Sequence, residues 1–269
     1  MNKNAVDTLL SKESYNIDDL IKIMEILRSE GGCPWDREQT HKSIRNNLIE
    51  ETYEAVEGID NSDDIILKEE LGDVLLQVVF HARIAEEENS FDINGVADGV
   101  CKKLILRHPH IFSDVKADTS EKVLENWDAI KKQEKKQKTA SDTLKAVSPS
   151  LPALSRASKL SSKAAKVGFT YPDTQSAIAK IDEELQELKA EIICANSEKA
   201  EEEFGDLLFA VANAARLAGV NPEEALYKAN EKFVNRFARM EKEAKDMGVE
   251  LCESDVNKLL EFWEKAKKS

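Results

Sequence analysis

The chain has few of the residues that mark secreted, redox-active or membrane-bound proteins. Its 269 residues include 4 cysteines, Cys33, Cys101, Cys194 and Cys252, scattered and without a Cys-x-x-Cys pair. They form no disulfide framework and read as reduced thiols. No apolar run approaches the ~20 residues of a membrane span. The stretch from Asn2 to Tyr15 carries Asp7 and Glu13 where a signal peptide would be apolar. A soluble cytoplasmic protein is expected. Positive charge is outnumbered, with 38 Lys and Arg against 52 Asp and Glu, a formal net charge of -14 and a pI near 4.9. That balance excludes a nucleic-acid polymer or an anionic membrane surface as the main partner. Aromatics are 6%, strand signals are scarce, and there is no recognisable serine or cysteine nucleophile motif.

What the chain does have is 33% charged residues and abundant Glu, Lys, Leu and Ala, the balance of a mainly helical protein. Its acids are patterned. Glu50-Glu51-Thr-Tyr-Glu54 precedes Glu69-Glu70-Leu-Gly-Asp73. Residues three apart share a helix face, so Glu51 with Glu54 and Glu70 with Asp73 can turn four carboxylates into one space. Glu51 falls on the stripe of Ile44, Leu48, Ala55 and Ile59, and Glu70 and Asp73 on that of Ile66, Leu67, Val74, Gln77 and Val78. Unpaired carboxylates facing inward are costly, so a cation is expected between them. The bland alternative is a solvated acidic face.

Repetition weighs against that alternative. Glu183-Glu184-Leu-Gln-Glu187 precedes Glu202-Glu203-Phe-Gly-Asp206, and Glu51 to Glu70 and Glu184 to Glu203 both span 19 residues (70 − 51 and 203 − 184). An offset of 133 (184 − 51) divides the chain into two similar halves. The boundary is expected at 137/138, with one domain over 1–137 and another over 138–269.

Capping and breaking residues give the order of elements. Asn16 caps a helix to about Arg28, stopped by Gly31-Gly32. Cys33-Pro34-Trp35-Asp36 reads as a loop, with Trp35 a core plug or a lid. Gln39 to Asp60 is the first acidic helix, and Asn61-Ser62 turns the chain back into a second helix running to about Glu88. His81, one turn past Gln77, reads as a core residue outside the metal set. Asp92 caps a helix carrying Lys103 and Arg107, two cations on one face that are either solvated or hold outer phosphates. In the second half Asp173 caps the Glu184 helix. Asn221, Pro222 and Glu224 start another helix, which carries Asn230, Lys232, Phe233 and Arg236.

Cys33-Pro34-Trp35-Asp36 with Gln39-Thr40-His41, the paired acidic motifs, Arg107-His108-Pro109-His110, and in the second half Pro152-Ala153-Leu154, Lys163 to Phe169 and Lys228-Ala229-Asn230 together resemble the MazG nucleoside triphosphate pyrophosphohydrolases. The resemblance implies an all-α fold of two related domains in tandem, with sites of four-helix-bundle type, in an intertwined homodimer. It also implies Mg²⁺-dependent hydrolysis of an NTP to the monophosphate and pyrophosphate, with Mn²⁺ as the substitute metal. Carried over by position, Glu51, Glu54, Glu70 and Asp73 would hold metal in the first half, and Glu184, Glu187, Glu203 and Asp206 in the second. Phosphate and base contacts would fall on Lys232 and Arg236, with Asn230 and Trp263 beside them.

Glu50 and Glu183 are candidate bases or exposed charges. Lys180 lies on the same face one turn before Glu184, whereas the first half has Asn47 there, so the second half is expected to carry most turnover. A dUTP- or dCTP-specific pyrophosphatase uses similar carboxylate helices and stays open as an alternative. A non-catalytic helical scaffold would gain nothing from eight acids on apolar stripes. Uncovered apolar residues on the far side of the Glu70 helix, Ile65, Leu75 and Val79, lead to an expected homodimer.

Overall fold

A computed structural model describes residues 3–113, 115, 119–134, 139–251 and 254–267. Cys252 and the expected boundary at 137/138 lie outside the described residues. Every regular element among them is a helix, and none of these helices is long and apolar enough to cross a membrane. Chain packing divides the protein into two units, 1–130 and 131–269.

In the first unit the helices are α1 Lys3–Leu10, α2 Ile17–Arg28, α3 Pro34–Glu38, α4 Arg45–Asp60, α5 Asp64–Glu87, α6 Ile93–Arg107, α7 Pro109–Phe112 and the start of α8 Ser120–Glu134. Asn16 and Asp19 cap α2 reciprocally, each side chain taking the other's backbone N–H. The Cys33 to Asp36 segment departs from its expected loop, because Pro34 supplies the preset φ of a first helical position and one turn forms. Trp35 is 58% exposed and plugs no core. The first acidic helix begins at Arg45 rather than Gln39, since hydrogen bonds among Thr40, Ser43 and Gln39 hold a turn ahead of it.

The hairpin of α4 and α5 is the frame of the unit. Asn61 and Ser62 reverse the chain, with Ser62 left-handed at φ 54, and the Asp63 N–H returns to the Gly58 carbonyl. Gly58 lets the two helices close up, since a Cβ there would sit 2.8 Å from the Leu67 backbone nitrogen. Against this hairpin α2 packs a core of Met24, Ile44, Val79, Phe80 and Ile84, each side chain contributing about 1.5 to 3 kcal/mol by leaving water. Val79, expected on the uncovered face, is buried here at 2% exposure, while Ile65 and Leu75 are exposed. Half-buried Arg28, its side chain only 5% exposed, bridges the core to its rim. Its guanidinium lies over Phe80, pairs with Glu87 at 2.8 Å and donates to the carbonyls of Asp36 and Gln39.

The second unit holds α9 Ala140–Lys145, α10 Ala153–Ala165, α11 Thr174–Ile193, α12 Ser197–Leu217, α13 Pro222–Asp246 and α14 Val256–Ala266. Its α11 and α12 repeat the hairpin down to the turn, where Ala195 is left-handed at φ 55 and Asn196 N–H returns to Glu191. Asp173 and Asn221 cap α11 and α13 as expected. Glu224 pairs with Lys228, and Glu223 accepts from the Ser155 N–H at the start of α10. The interior differs in kind from the first unit. Where α10 packs on the hairpin the buried residues are small, among them Ala157, Ser161, Ala177, Ala210 and Ala214, and a cavity opens beside them. The bulkier cluster of Met240, Ala244, Phe262 and Ala266 lies farther along, between α13 and α14.

Candidate metal centres and cavity

Each hairpin brings acids together in the way the i, i+3 spacing leads one to expect. In the first, carboxylate oxygens of Glu51, Glu70 and Asp73 all lie within 4.8 Å of one another. In the second, those of Glu184, Glu187 and Glu203 do the same. Glu54 borders the first cluster, adding its charge to those acting on Glu51 and Glu70, and Asp206 acts likewise on Glu203.

Lost hydration and mutual repulsion leave a signature in both clusters. Desolvation first, then the charges of Asp73, Glu54 and Glu50, push Glu51 above the usual carboxylate range. Glu70 rises through desolvation and then Glu54, Asp73, Glu69 and Glu51. Glu203 rises through desolvation and then Glu187, Glu184, Asp206 and Glu202. Every charge in these sets is negative. Oxygen donors this close, partly dehydrated and repelling one another, suit a hard divalent cation, which would relieve all three effects at once.

The second cluster has an internal cation as well. Lys180 Nζ lies 2.7 Å from Glu183 and 2.8 Å from Glu184, and these two bonds raise its pKa far above the ordinary lysine value. Glu184 is 6% exposed, so the ammonium is the partner its burial requires. Glu183 is exposed and faces Lys180, while Glu50 is exposed at the start of the first motif.

The remaining candidates are dispersed over other helices. Lys103 is exposed on α6, and Arg107 is buried with its guanidinium 5.2 Å from the Trp127 ring centroid. Asn230 and Lys232 are exposed and Arg236 half-buried on α13. Trp263 packs on Phe233 with ring centroids 5.2 Å apart, tying α14 to α13. His81 lies in the first unit with its Nδ1 2.8 Å from that of His41. Burial, then the His41 charge, lowers its pKa.

Sequence reading missed the cavity. It measures about 560 Å³ and is lined by Leu144, Leu160, Phe169, Tyr171, Phe209 and Asn213, with Lys180, Glu184 and Asp206 at its acidic side. Such a volume suits a small organic ligand. One signal could have found it: Asn213 stands seven residues, about two turns, beyond Asp206 and therefore on the same side of α12.

The family profile described as "MazG nucleotide pyrophosphohydrolase domain" matches twice, over residues 39–112 and 173–240. The chain belongs to the MazG family. Its two matched segments contain all six acids of the two clusters, with Glu54 and Asp206 beside them. Among relatives, the Thermotoga maritima protein named "Nucleoside triphosphate pyrophosphohydrolase/pyrophosphatase MazG" is 48% identical over 250 residues, 93% of this chain and 95% of its own. An Escherichia coli K12 "Nucleoside triphosphate pyrophosphohydrolase" is 43% identical over 94% of this chain and 97% of its own. The Bacillus subtilis "Uncharacterized protein YabN" is 46% identical over 92% of this chain but only 50% of its own length, so this MazG arrangement also occurs within a longer protein.

Proposed function

We propose that this MazG chain is a Mg²⁺-dependent nucleoside triphosphate pyrophosphohydrolase of broad nucleotide specificity, converting an NTP and water to the monophosphate and pyrophosphate. The observation that carries the reading is the convergence of Glu184, Glu187 and Glu203 within 4.8 Å beside a cavity of about 560 Å³. The acids offer a place for bridged phosphates, and the cavity a place for the nucleoside. In the second half Glu184, Glu187, Glu203 and Asp206 hold the metal, Mg²⁺ or Mn²⁺ in its stead, and in the first half Glu51, Glu54, Glu70 and Asp73 do. A divalent cation held by these carboxylates would supply charge neutralisation of the triphosphate and a more acidic water for attack on the α-phosphorus.

The side chains do the rest. Lys180 turns from Glu184 toward a phosphate oxygen, exchanging one charge-assisted bond for another. Glu183, freed from Lys180, is the proposed acceptor of a proton from the attacking water, and Glu50 is its proposed counterpart in the first half. Lys232, Arg236, Asn230 and Trp263, with Lys103 and Arg107, are proposed to reach the outer phosphates and base in an assembled homodimer, whose formation the exposed apolar residues of α5 and α12 support: Ile65, Leu75, Phe204 and Leu208. The halves are taken as 1–137 and 138–269. The enzyme would work in the cytoplasm, where free nucleotides are its partners.

Phosphorus-31 NMR of the earliest turnover tests the reaction. Pyrophosphate and monophosphate should appear together from several NTPs in the presence of Mg²⁺. Nucleoside diphosphate and orthophosphate as first products would overturn the mechanism, and turnover of dUTP or dCTP alone would favour the nucleotide-specific alternative.

A further inference from the structure

We propose that Asn213 reads the base, donating from its amide to a carbonyl oxygen on the outer edge. The second half would then favour keto bases (guanine, hypoxanthine, uracil and thymine) over the amino bases adenine and cytosine. The proposal rests on the reading of this cavity as an NTP site and adds to it what distinguishes one substrate from another.

Asn213 is buried at 8% exposure and lines the same cavity as Glu184 and Asp206. From Asp206 to Asn213 the helix climbs about 10 Å at its regular rise per residue. A nucleoside whose α-phosphate lay among the acids would extend its base along that line. Tyr171 and Phe209 line the same cavity, and Phe169, 82% exposed at the loop, is available to cover a base there.

Chemistry fixes which end of the amide faces the cavity. Asn213 Oδ1 accepts from Arg216 Nε at 3.1 Å and from Arg216 Nη2 at 2.9 Å. A guanidinium only donates, so the oxygen is the atom that must face it. Arg216 Nη2 also donates to Thr170 Oγ1 at 3.2 Å, which locks the pair to the loop that carries Phe169 and Tyr171. Asn213 Nδ2 is left without a hydrogen bond to any described residue. It is a held donor facing the cavity. Guanine O6 and the O4 of uracil or thymine accept from such a group, whereas the amino groups of adenine and cytosine are donors and would face it donor to donor. The first half has Phe80 at the equivalent place (213 − 133), packed in its core, so this reader belongs to the second half alone.

The test uses full-length protein carrying Glu51→Gln and Glu70→Gln, so that turnover comes from the second half, and measures kcat/KM for GTP against ATP and UTP against CTP. The keto member of each pair should be preferred about tenfold, the worth of one net hydrogen bond. Asn213→Asp keeps the shape and the Arg216 partnership but presents an acceptor to the cavity, so both preferences should invert. Asn213→Ala, a second variant in case the first fails to fold, should level them. Equal kcat/KM within both pairs, or a keto preference that survives these substitutions, overturns the proposal while leaving NTP hydrolysis in place. Absence of hydrolysis of all four nucleotides overturns the reading of the site itself, and the proposal with it.

Discussion

Replacing Glu184 and Glu203 by Gln, and separately Glu51 and Glu70 by Gln, asks which half does the work. Each pair of substitutions removes two of the three carboxylates that converge in one hairpin while keeping their size. The halves differ in nearby positive charge. Lys180 stands 2.8 Å from Glu184, and the neutral Asn47 occupies the matching place 133 residues earlier. A charge-assisted hydrogen bond to phosphate is worth about 1.5 to 3 kcal/mol, roughly ten- to a hundredfold in rate. A protein relying on its first half should therefore retain only about 1 to 10% of Mg²⁺-dependent NTP hydrolysis by that same factor. The first-half substitutions should leave most of it. Unfolding is an internal control, because Gln removes the repulsion that raises Glu203 and Glu70. Melting temperature in chelator should not drop in the first-half variant, and in the second-half variant it should fall only by what the lost Lys180–Glu184 ion pair contributes. Equal losses of activity, or a larger loss from the first-half pair, would refute the assignment.

Light scattering at micromolar concentration should report about twice the 30.1 kDa chain mass, and a monomer would count against the covered apolar faces proposed for α5 and α12. Met24→Ala opens a hole in a core residue 2% exposed and should cost about 2 to 5 kcal/mol in urea unfolding; a loss below half of the lower figure would mean that α2 contributes little to the first unit. His81 has a lowered folded pKa, so the unfolded chain binds the extra proton first. Its contribution is present above the ordinary histidine pKa and disappears as pH falls through that value toward the lower folded one. Wild-type protein should thus lose more melting temperature than His81→Gln between pH 7 and 5, and parallel curves would refute the part-buried pairing with His41.

The hairpins were legible in the sequence because periodicity and spacing act locally. Three-residue steps place Glu51 beside Glu54 and Glu70 beside Asp73 on any helix, and the caps at Asn16, Asp92, Asp173 and Asn221 follow from the hydrogen bonds a short polar side chain can reach. What was not legible depends on how helices meet. The cavity exists because Ala210 and Ser161 are small where α10 crosses the hairpin, a property of two segments far apart in the chain. Val79 falls on the open face by the geometry of α5 alone, yet α2 covers it. The Cys33 to Asp36 segment reads as a loop in sequence, yet Pro34 takes the first position of a helical turn whose remaining residues carry no strong periodic signal. Glu183, Glu184 and Lys180 were each singled out, but only the structure shows the ammonium already shared between the two acids.

That sharing should make the two hairpins respond differently to removal of a divalent cation. In α11 a tethered ammonium stays among the acids after an ion departs, so part of the lost attraction is replaced without any ligand. In the first hairpin the charges acting on Glu51 and Glu70 are all acidic, and Asn47 offers no charge in return. Chelation should therefore loosen the first hairpin selectively, with amide hydrogens around Glu70 exchanging faster while those around Glu203 stay protected. On the proposed reading Lys180 would serve as a resident counter-ion that holds one hairpin in its binding shape, and the other hairpin would need a bound cation for the same order.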